Sequence, residues 1–578
     1  MNNPRPGVLA VRAINQYRRR DILVYLGLRY YLHNSSARSN DWIQRVATKL
    51  VDTRSGAPYF AAQHFKDCPC PGQLKHRPMF LPNANEALAE TALLDECAKH
   101  PWVFGNPECV FSYKLASGAD RSGVFEYYSK GLCSRHDAIA LACDLNPSGV
   151  VRYQDIKRFY PSITAELALR TWKKYSSRAK LSSSYISLGE RIIQDHGVVS
   201  RPDEKGILTG PMFSHLLANL VLREFDEEFC AKLPGQYFRY VDDIALVGNA
   251  EVVSNSLAEM RLRLTDLGFE LHDSNSPKCL EVSTATWLEG RLDYRDGKRD
   301  VTWMSLIGDL KRLLLIAPLE RENVQNLFVK NGFRIPVYDY QTTVYEAGYL
   351  ERVYKLAKKF WFRRKTNKIS ADSLIVQALK LRDVYEREIL EILAIQQPTV
   401  FMRKRIIPKL RYRAGRLIYL AAPETLLKLA KLLEVYSELH MHSTIMAAVA
   451  TGNLDNILPL GTNAAQAAAQ PIRAAGTLCN TSLSDGDPIV DQSLAIFALN
   501  GVKVAYDASG EASDLLKFAT VGTSVELMKC PDQFTREIAC LHGLHEHPRH
   551  AKMLETVFDE DEHLAIDAVD QLQNSESL

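Results

Sequence analysis

Two adjacent aspartates in an apolar segment constrain the fold of this 578-residue chain more than any other feature. Asp242 and Asp243 interrupt the apolar run from Phe238 to Val247. Aspartate is depleted in strands, and apolar flanks of this kind are normally buried. Two carboxylates 4 Å apart repel by roughly 4 kcal/mol at an effective dielectric constant of about 20. The segment therefore predicts two short strands joined either by a solvated turn or by acids that bind a divalent cation.

A third aspartate favours the second alternative. Asp155 ends the apolar strand predicted at 150–155, and two aromatic residues and a small-residue turn follow it. Three carboxylates at the ends of neighbouring strands suit Mg²⁺, which binds a few carboxylates together with substrate phosphates. Two such ions roughly 3.5–4 Å apart activate an attacking hydroxyl and stabilise a departing pyrophosphate. The three acids therefore favour phosphoryl-transfer chemistry.

Five segments follow one another in a recognisable order between residues 155 and 290. They are Asp155-Ile-Lys-Arg-Phe-Tyr160, Gly206-Ile-Leu-Thr-Gly210 continuing to Asn219, Tyr240-Val-Asp-Asp243, Leu267-Gly-Phe-Glu-Leu271 with Lys278, and Trp287-Leu-Glu-Gly290. In this order they resemble motifs A to E of the reverse transcriptase palm, the last of which is the primer-grip hairpin. The resemblance implies a right-hand polymerase with fingers and palm, deoxynucleoside triphosphates as substrates and two Mg²⁺ ions as cofactors.

The resemblance also implies roles for the acids and their neighbours. Asp155 and Asp242 would bind both ions, Asp243 would complete the acidic cluster, and the carbonyl of Ile156 would touch one ion. Lys278 would neutralise or protonate the departing pyrophosphate. A solvated side chain is the alternative for this lysine.

Four further residues are expected at the nucleotide. Tyr160, with Phe159 before it, lies where the family places a ring against the ribose 2′-hydroxyl, although a core aromatic is the alternative. Gly210 would let the backbone approach the nucleotide or template closely. Lys114 would grip the triphosphate from a fingers strand that begins at Val110.

The second segment departs from the family pattern. It has Leu208-Thr209-Gly210 where a Pro-Gln-Gly triplet is usual, and Ser214-His215 where a Ser-Pro step is usual. The missing glutamine removes an amide that would lie near the nascent base pair. This difference argues against ordinary copying of long RNA templates.

Along the whole chain, mixed strand and helix patterns predict an α+β fold. We expect an N-terminal helical extension with the start of the fingers at 1–100, fingers and palm at 101–304, and a large all-α domain at 305–578. For this last domain, resemblance to reverse transcriptases with long helical extensions implies a HEAT-like array. Proline and glycine predict turns over 58–82, and residues 453–485 have a looser pattern. Helical periodicity predicts helices at 17–50, 84–99 with Asn83 or Asn85 as cap, 214–229, 305–330, 344–362, 371–395, 423–440 and most of 485–572.

Charge is segregated, although the total is only +3. Residues 352–416 hold 18 Lys/Arg against five Asp/Glu, whereas residues 501–578 hold six against 15. Cations of this density bind phosphates, so the basic segment predicts contact with single-stranded DNA product or RNA. Solvated helix faces are the alternative. No apolar run approaches the roughly 20 residues of a membrane helix, and the 11 scattered cysteines favour a reduced, cytoplasmic setting without a membrane.

A palm followed by a long helical region resembles the abortive-infection and defence-associated reverse transcriptases of bacteria. That resemblance implies antiphage defence, DNA synthesis that is RNA-directed or independent of a template, a non-coding RNA partner in some members, and priming from a protein tyrosine in others. Assembly into a homo-oligomer stays open. The alternatives are an RNA-templated reverse transcriptase of a mobile element and a catalytically silent RNA-binding scaffold. The candidate priming residues are Tyr338, Tyr340, Tyr345, Tyr349 and Tyr354.

Overall fold

The computed structural model describes residues 58–506 apart from 71, 117–122, 200–205, 275, 277, 293–300, 338–368, 396–397 and 485, together with a few residues near each end. Its first elements, in chain order, are β1 (Tyr59–Cys70), β2 (Gln73–Pro82), α1 (Ala84–Cys97), α2 (Pro101–Phe104), α3 (Tyr128–Leu145), β3 (Val150–Asp155), α4 (Phe159–Ser162), α5 (Ala165–Arg178), α6 (Ser183–Val199), α7 (Met212–Val221), α8 (Arg223–Lys232), β4 (Tyr237–Tyr240), β5 (Asp243–Gly248), α9 (Ala250–Asp266), β6 (Leu280–Ser283) and α10 (Thr284–Leu292).

The following elements are almost all helical. They are α11 (Trp303–Ile316), α12 (Arg321–Lys330), α13 (Ala371–Leu393), α14 (Val400–Leu420), α15 (Pro423–Leu433), α16 (His440–Thr451), α17 (Thr462–Ala475), β7 (Cys479–Thr481), α18 (Pro488–Leu499) and β8 (Val504–Tyr506). Short 3₁₀ turns lie at Pro318–Glu320, Ser437–Leu439 and Leu458–Leu460. None of the described helices has both the length and the apolar character that crossing a membrane requires.

The chain forms two compact units, the first made of Met1–Ala61 and Met79–Asp296, the second of Ala62–Pro78 and Gly297–Leu578. Both mix helices with small sheets. In the second unit the consecutive helices α13 and α14, α15 and α16, and α17 and α18 pack in pairs. The division at residues 100 and 304 stays a prediction.

A four-stranded antiparallel sheet in the order β4-β5-β3-β6 organises the first unit. Of its two central strands, β5 is almost entirely buried, whereas β3 mixes buried and partly exposed residues. Helices α3 and α10 cover one face of this sheet, where Ile139, Val151, Val247 and Trp287 share a core. The strands predicted around the three aspartates are thereby confirmed.

Three segments differ from the sequence-based expectations. The proline-rich passage at 58–82 is a long two-stranded ribbon, β1 with β2, whose prolines are tolerated because each strand has an unpaired edge. The segment at 287–292 belongs to helix α10 and is not a hairpin. The alanine-rich part of 453–485 is helix α17, since alanine is the strongest helix former.

Smaller corrections concern helix ends and short strands. The helix expected at 214–229 is two helices, α7 and α8, which meet at Leu222. The expected all-α region contains a parallel pair, β7 with β8. Helix α1 is confirmed, and its cap is Asn83, whose side chain accepts a hydrogen bond from the Glu86 amide. The predicted helices at 17–50 and 344–362 lie outside the described residues.

A buried histidine in helix α6 makes the stability of the first unit sensitive to pH. His196 is fully buried with its ring edge-on to Tyr59, and neither ring nitrogen has a hydrogen-bond partner among the described residues. Burial lowers its pKa from 6.5 to about 3. Below pH 6.5, His196 therefore binds a proton in the unfolded chain but stays neutral in the folded chain. Each pH unit below that point costs about 1.4 kcal/mol of stability.

When the pH falls from 7 to 5.5, the free energy of unfolding should decrease by about 1 kcal/mol less in His196→Leu than in the unmodified protein. Urea unfolding at each pH measures the difference. The paired comparison is needed because burial raises the pKa of Glu90 to about 8, which makes stability fall as the pH rises through the same window. An identical pH dependence in both proteins would contradict a neutral buried His196.

Candidate active site

The register of the sheet places the three aspartates at one end of neighbouring strands. Asp155 at the end of β3 pairs with Asp243 at the start of β5. The amide of Ile156 donates a hydrogen bond to the carbonyl of Asp242, at 2.9 Å. Residues far apart in sequence are thus backbone neighbours, as the strand pattern predicts.

The turn that presents Asp242 is strained. Val241 has a φ of +58°, a left-handed conformation that a β-branched residue rarely adopts. Its amide donates to the hydroxyl of Ser112 at 2.8 Å, and its carbonyl accepts from Arg239 Nη1 at 2.8 Å. Strain of this kind persists only where the surroundings fix it, and these two bonds do so here.

Arg239 is fixed in turn by a fully buried ion pair. Its Nε and Nη2 donate to the two carboxylate oxygens of Asp226 at 2.8 and 2.6 Å, and both side chains are fully buried. Tyr237 also donates to Asp226, and Asn219 accepts from Arg239. Burial lowers the pKa of Arg239, but the charge of Asp226 outweighs this effect and raises that pKa, so the guanidinium keeps its charge inside the core.

Two of the three acids have cationic partners. The carboxylate of Asp155 lies 3.2 Å from Lys278 Nζ and 3.3 Å from His272 Nε2. Asp243 accepts from Arg135 Nη1 at 2.9 Å, and Arg135 Nη2 also donates to the Asp243 carbonyl. Arg135 is a buried residue of α3, and Asp243 raises its pKa against the effect of burial.

Asp242 is in a different electrostatic state. Burial first, and then the charge of Asp155, raise its pKa to about 6, while Lys278 acts in the opposite direction. This environment therefore disfavours the ionised form of Asp242. A nearby positive charge would restore it.

Metal binding by the aspartates stays a prediction. Among the side chains that the structure describes, no group of three or more His, Cys, Asp or Glu is arranged to hold a metal ion. Asp155 and Asp242 nevertheless act on each other electrostatically, and Mg²⁺ needs few protein ligands where phosphates supply the others. Asp243 is engaged by Arg135, so the third ligand stays a prediction, as does the Ile156 carbonyl.

The other predicted nucleotide residues have mixed outcomes. Phe159 is buried against Phe269, so its side chain packs in the core. Gly210 has a φ of +125°, and a Cβ there would lie 2.4 Å from the Phe80 carbonyl oxygen. The close approach that requires glycine is therefore to Phe80 in β2. A role for Gly210 at a nucleotide stays a prediction.

Lys114 does not lie in a strand. Val110 makes only an isolated bridge with Arg239, and Tyr113 has a φ of +48°, which breaks any extended run. Lys114 Nζ lies over the ring of Phe111 at 5.3 Å. The five candidate priming residues, Tyr338, Tyr340, Tyr345, Tyr349 and Tyr354, lie outside the described residues.

Tyr160 belongs to a partly exposed aromatic cluster. Its hydroxyl is 2.6 Å from Nδ1 of His215, and the ring of His215 stacks on Tyr113 at 3.7 Å and 5°. Phe125 packs edge-on against the same histidine ring. Burial first, and then Tyr113 and Asp242, raise the pKa of Tyr160, so its hydroxyl is protonated and lies within electrostatic range of Asp242.

Sequence reasoning missed Arg135, Ser112 and His272, and it had no role for His215. Arg135, Ser112 and His272 lie outside the five motifs, and His215 lies where the second motif differs from the family pattern. Only the folded chain brings these residues to the site. No spacing along the chain indicates these pairings.

The comparisons add little to this geometry. No protein-family model and no curated protein matches the chain. Among solved structures, it is similar to telomerase from Candida albicans in a complex with a fragment of telomeric RNA, at 11% sequence identity. The likeness covers 70% of this chain and 69% of the telomerase chain, with a TM-score of 0.26. At this TM-score the likeness assigns neither a fold nor a function to the chain.

The buried pair behind the turn gives a testable stability difference. Asp226→Asn keeps the shape of the side chain but leaves the Arg239 charge buried without its counter-ion, which costs about 3–5 kcal/mol. Glu227→Gln on the same helix removes only the exposed pair with Arg223, which is worth at most about 1 kcal/mol. Urea unfolding of the two variants measures both values. Equal losses would contradict a central role for the buried pair.

Proposed function

We propose that this chain is a Mg²⁺-dependent DNA polymerase of the reverse transcriptase type. The observation that carries the proposal is the antiparallel register that sets Asp155 beside the Asp242–Asp243 turn. The order of the five motifs in the sequence agrees with it.

Each residue of the site has a task in this chemistry. Asp155 and Asp242 would hold the metal ions, which activate the primer hydroxyl and stabilise the leaving pyrophosphate when bound. Lys278, whose side chain is 54% exposed and lies beside Asp155, would donate a hydrogen bond or proton from Nζ to the pyrophosphate. Arg135 would fix Asp243 and through it the start of β5. Tyr160 would face the sugar.

The basic helix α14 supports a nucleic-acid partner. Between Val400 and Leu420 it carries seven Lys/Arg and no acid. Two of the arginines are paired with glutamates, Arg403 with Glu438 and Arg413 with Glu388. The net positive charge of the helix suits the phosphates of single-stranded DNA product or of RNA.

For the biological role we propose antiphage defence, which rests on the resemblance of the palm and its long helical extension to the defence-associated enzymes. Priming from a protein tyrosine belongs to the same proposal. Phage challenge of cells that carry the intact gene or the Asp242→Asn variant tests the role. Nucleic acid that stays attached to the protein until protease treatment tests the priming.

Loss of either central acid should abolish nucleotide incorporation. We expect Asp155→Asn and Asp242→Asn each to lower the rate at least about a hundredfold, because several kcal/mol of transition-state stabilisation disappear. Asp144→Asn, an exposed acid at the end of α3, is the matched control and should retain full activity. Full activity in either central variant would remove that acid from the site.

The same assay separates the alternatives. Labelled deoxynucleotides are supplied with Mg²⁺, with and without an RNA template. Incorporation only with template supports RNA-directed synthesis, and incorporation in both arms supports template-independent synthesis. No incorporation under either condition supports an RNA-binding scaffold and contradicts the proposal.

The role of α14 predicts a change in salt dependence. Lys404→Gln with Lys409→Gln should weaken binding of single-stranded RNA and lower the slope of log affinity against log salt by about 1.4, or 0.7 for each lost phosphate contact. Lys428→Gln with Lys431→Gln on α15 is the control. Unchanged slopes in the α14 variant would show that these lysines do not contact phosphates.

A further inference from the structure

The position of the Tyr160 ring needs an explanation, because its own segment restrains it weakly. Tyr160 belongs to α4, a helix of four residues, and Arg158 before it has a φ of +47°. A ring that selects sugars by contact works only if it cannot rotate away from the sugar. Phe159 in the same segment packs against the Tyr160 ring, but the hydroxyl of Tyr160 is held by a side chain from outside the segment.

His215 supplies that restraint from a longer helix. It lies in the first turn of the ten-residue helix α7, at the step where the family pattern has proline. Its Nδ1 is 2.6 Å from the Tyr160 hydroxyl, and the two rings also meet edge-to-face with centroids 5.5 Å apart. His215 thus contacts both the hydroxyl and the ring of Tyr160, and Tyr113 is a second hydrogen-bonding neighbour of that hydroxyl.

His215 is itself immobilised from the opposite side. The ring of Tyr113 stacks on it almost in parallel. Tyr113 is a non-glycine residue at a φ of +48°, so its surroundings fix it against backbone strain. The neighbouring residue Ser112 accepts the hydrogen bond from Val241 in the acidic turn. The cluster therefore ties the Tyr160 ring to the turn that presents Asp242.

We propose that His215 is a positioning residue for sugar selection, which acts by fixing the hydroxyl of Tyr160 so that its ring lies against the 2′ position of the incoming nucleotide. This inference rests on the proposed polymerase function and names a determinant of its substrate class. His215 touches Tyr160 and need not touch the nucleotide. Its replacement frees the ring to turn aside and admits a ribose 2′-hydroxyl.

The test is the ratio of kcat/KM for each deoxynucleotide to kcat/KM for the matching ribonucleotide. We expect His215→Leu to lower this ratio about three- to tenfold, the value of one hydrogen bond. Tyr160→Phe removes only the hydroxyl and should lower it by a similar factor. The double variant should be no worse than either single one, because both remove the same interaction.

Two further variants separate positioning from a general structural effect. His215→Asn retains a polar atom near the place of Nδ1 and should restore most of the ratio. His100→Leu removes a histidine that lies edge-on to Trp102, and it should leave the ratio unchanged. Thermal melting of every variant identifies any that fail to fold, and Tyr160→Phe and His215→Asn are the smallest changes.

The outcomes distinguish this inference from the function on which it rests. Failure of the unmodified protein to incorporate any nucleotide overturns the polymerase proposal and the sugar proposal together. Normal incorporation with an unchanged sugar ratio in His215→Leu overturns the role of His215 alone. Additive losses in the double variant would also overturn it, since the two residues would then act independently.

Discussion

The buried ion pair between Asp226 and Arg239 is the interaction on which the rest of the site depends. Removing two charges from water costs several kcal/mol for each ion, and only good geometry with further hydrogen bonds offsets that cost. Here Tyr237 and Asn219 complete the pair, and Arg239 uses its remaining nitrogen on the carbonyl of Val241. The pair thereby fixes a strained turn, and the turn fixes Asp242.

The three aspartates differ in the cations that lie beside them. Arg135 compensates Asp243 from inside the core, and Lys278 meets Asp155 from the surface. Burial, and then the charge of Asp155, raise the pKa of Asp242 to about 6. A positive ligand beside Asp155 and Asp242 would stabilise their ionised forms, and we propose that Mg²⁺ and substrate phosphates bind there.

The sequence was sufficient for the strands and acids because those signals are local. Asp155 and Asp242 each lie at the end of a predicted short strand, so the sequence pattern alone marks them as strand-end residues. Arg135 is 108 residues before Asp243 in the sequence, and Ser112 is 129 residues before Val241. Only the folded chain reveals these two contacts. The ribbon β1–β2 was missed because its prolines resemble turn signals, although unpaired strand edges accommodate them.

The central claim is that Asp155 and Asp242 serve one metal site, and iron-directed cleavage tests it most directly. Fe²⁺ replaces Mg²⁺, added hydrogen peroxide is reduced at the bound iron to hydroxide and hydroxyl radical, and ascorbate returns the iron to Fe²⁺. The radicals cut the nearest backbone. We expect cuts near both residue 155 and residue 242, and we expect both to disappear together in Asp155→Asn. Cuts at one position alone, or cuts that persist near residue 242 in that variant, would contradict a shared site.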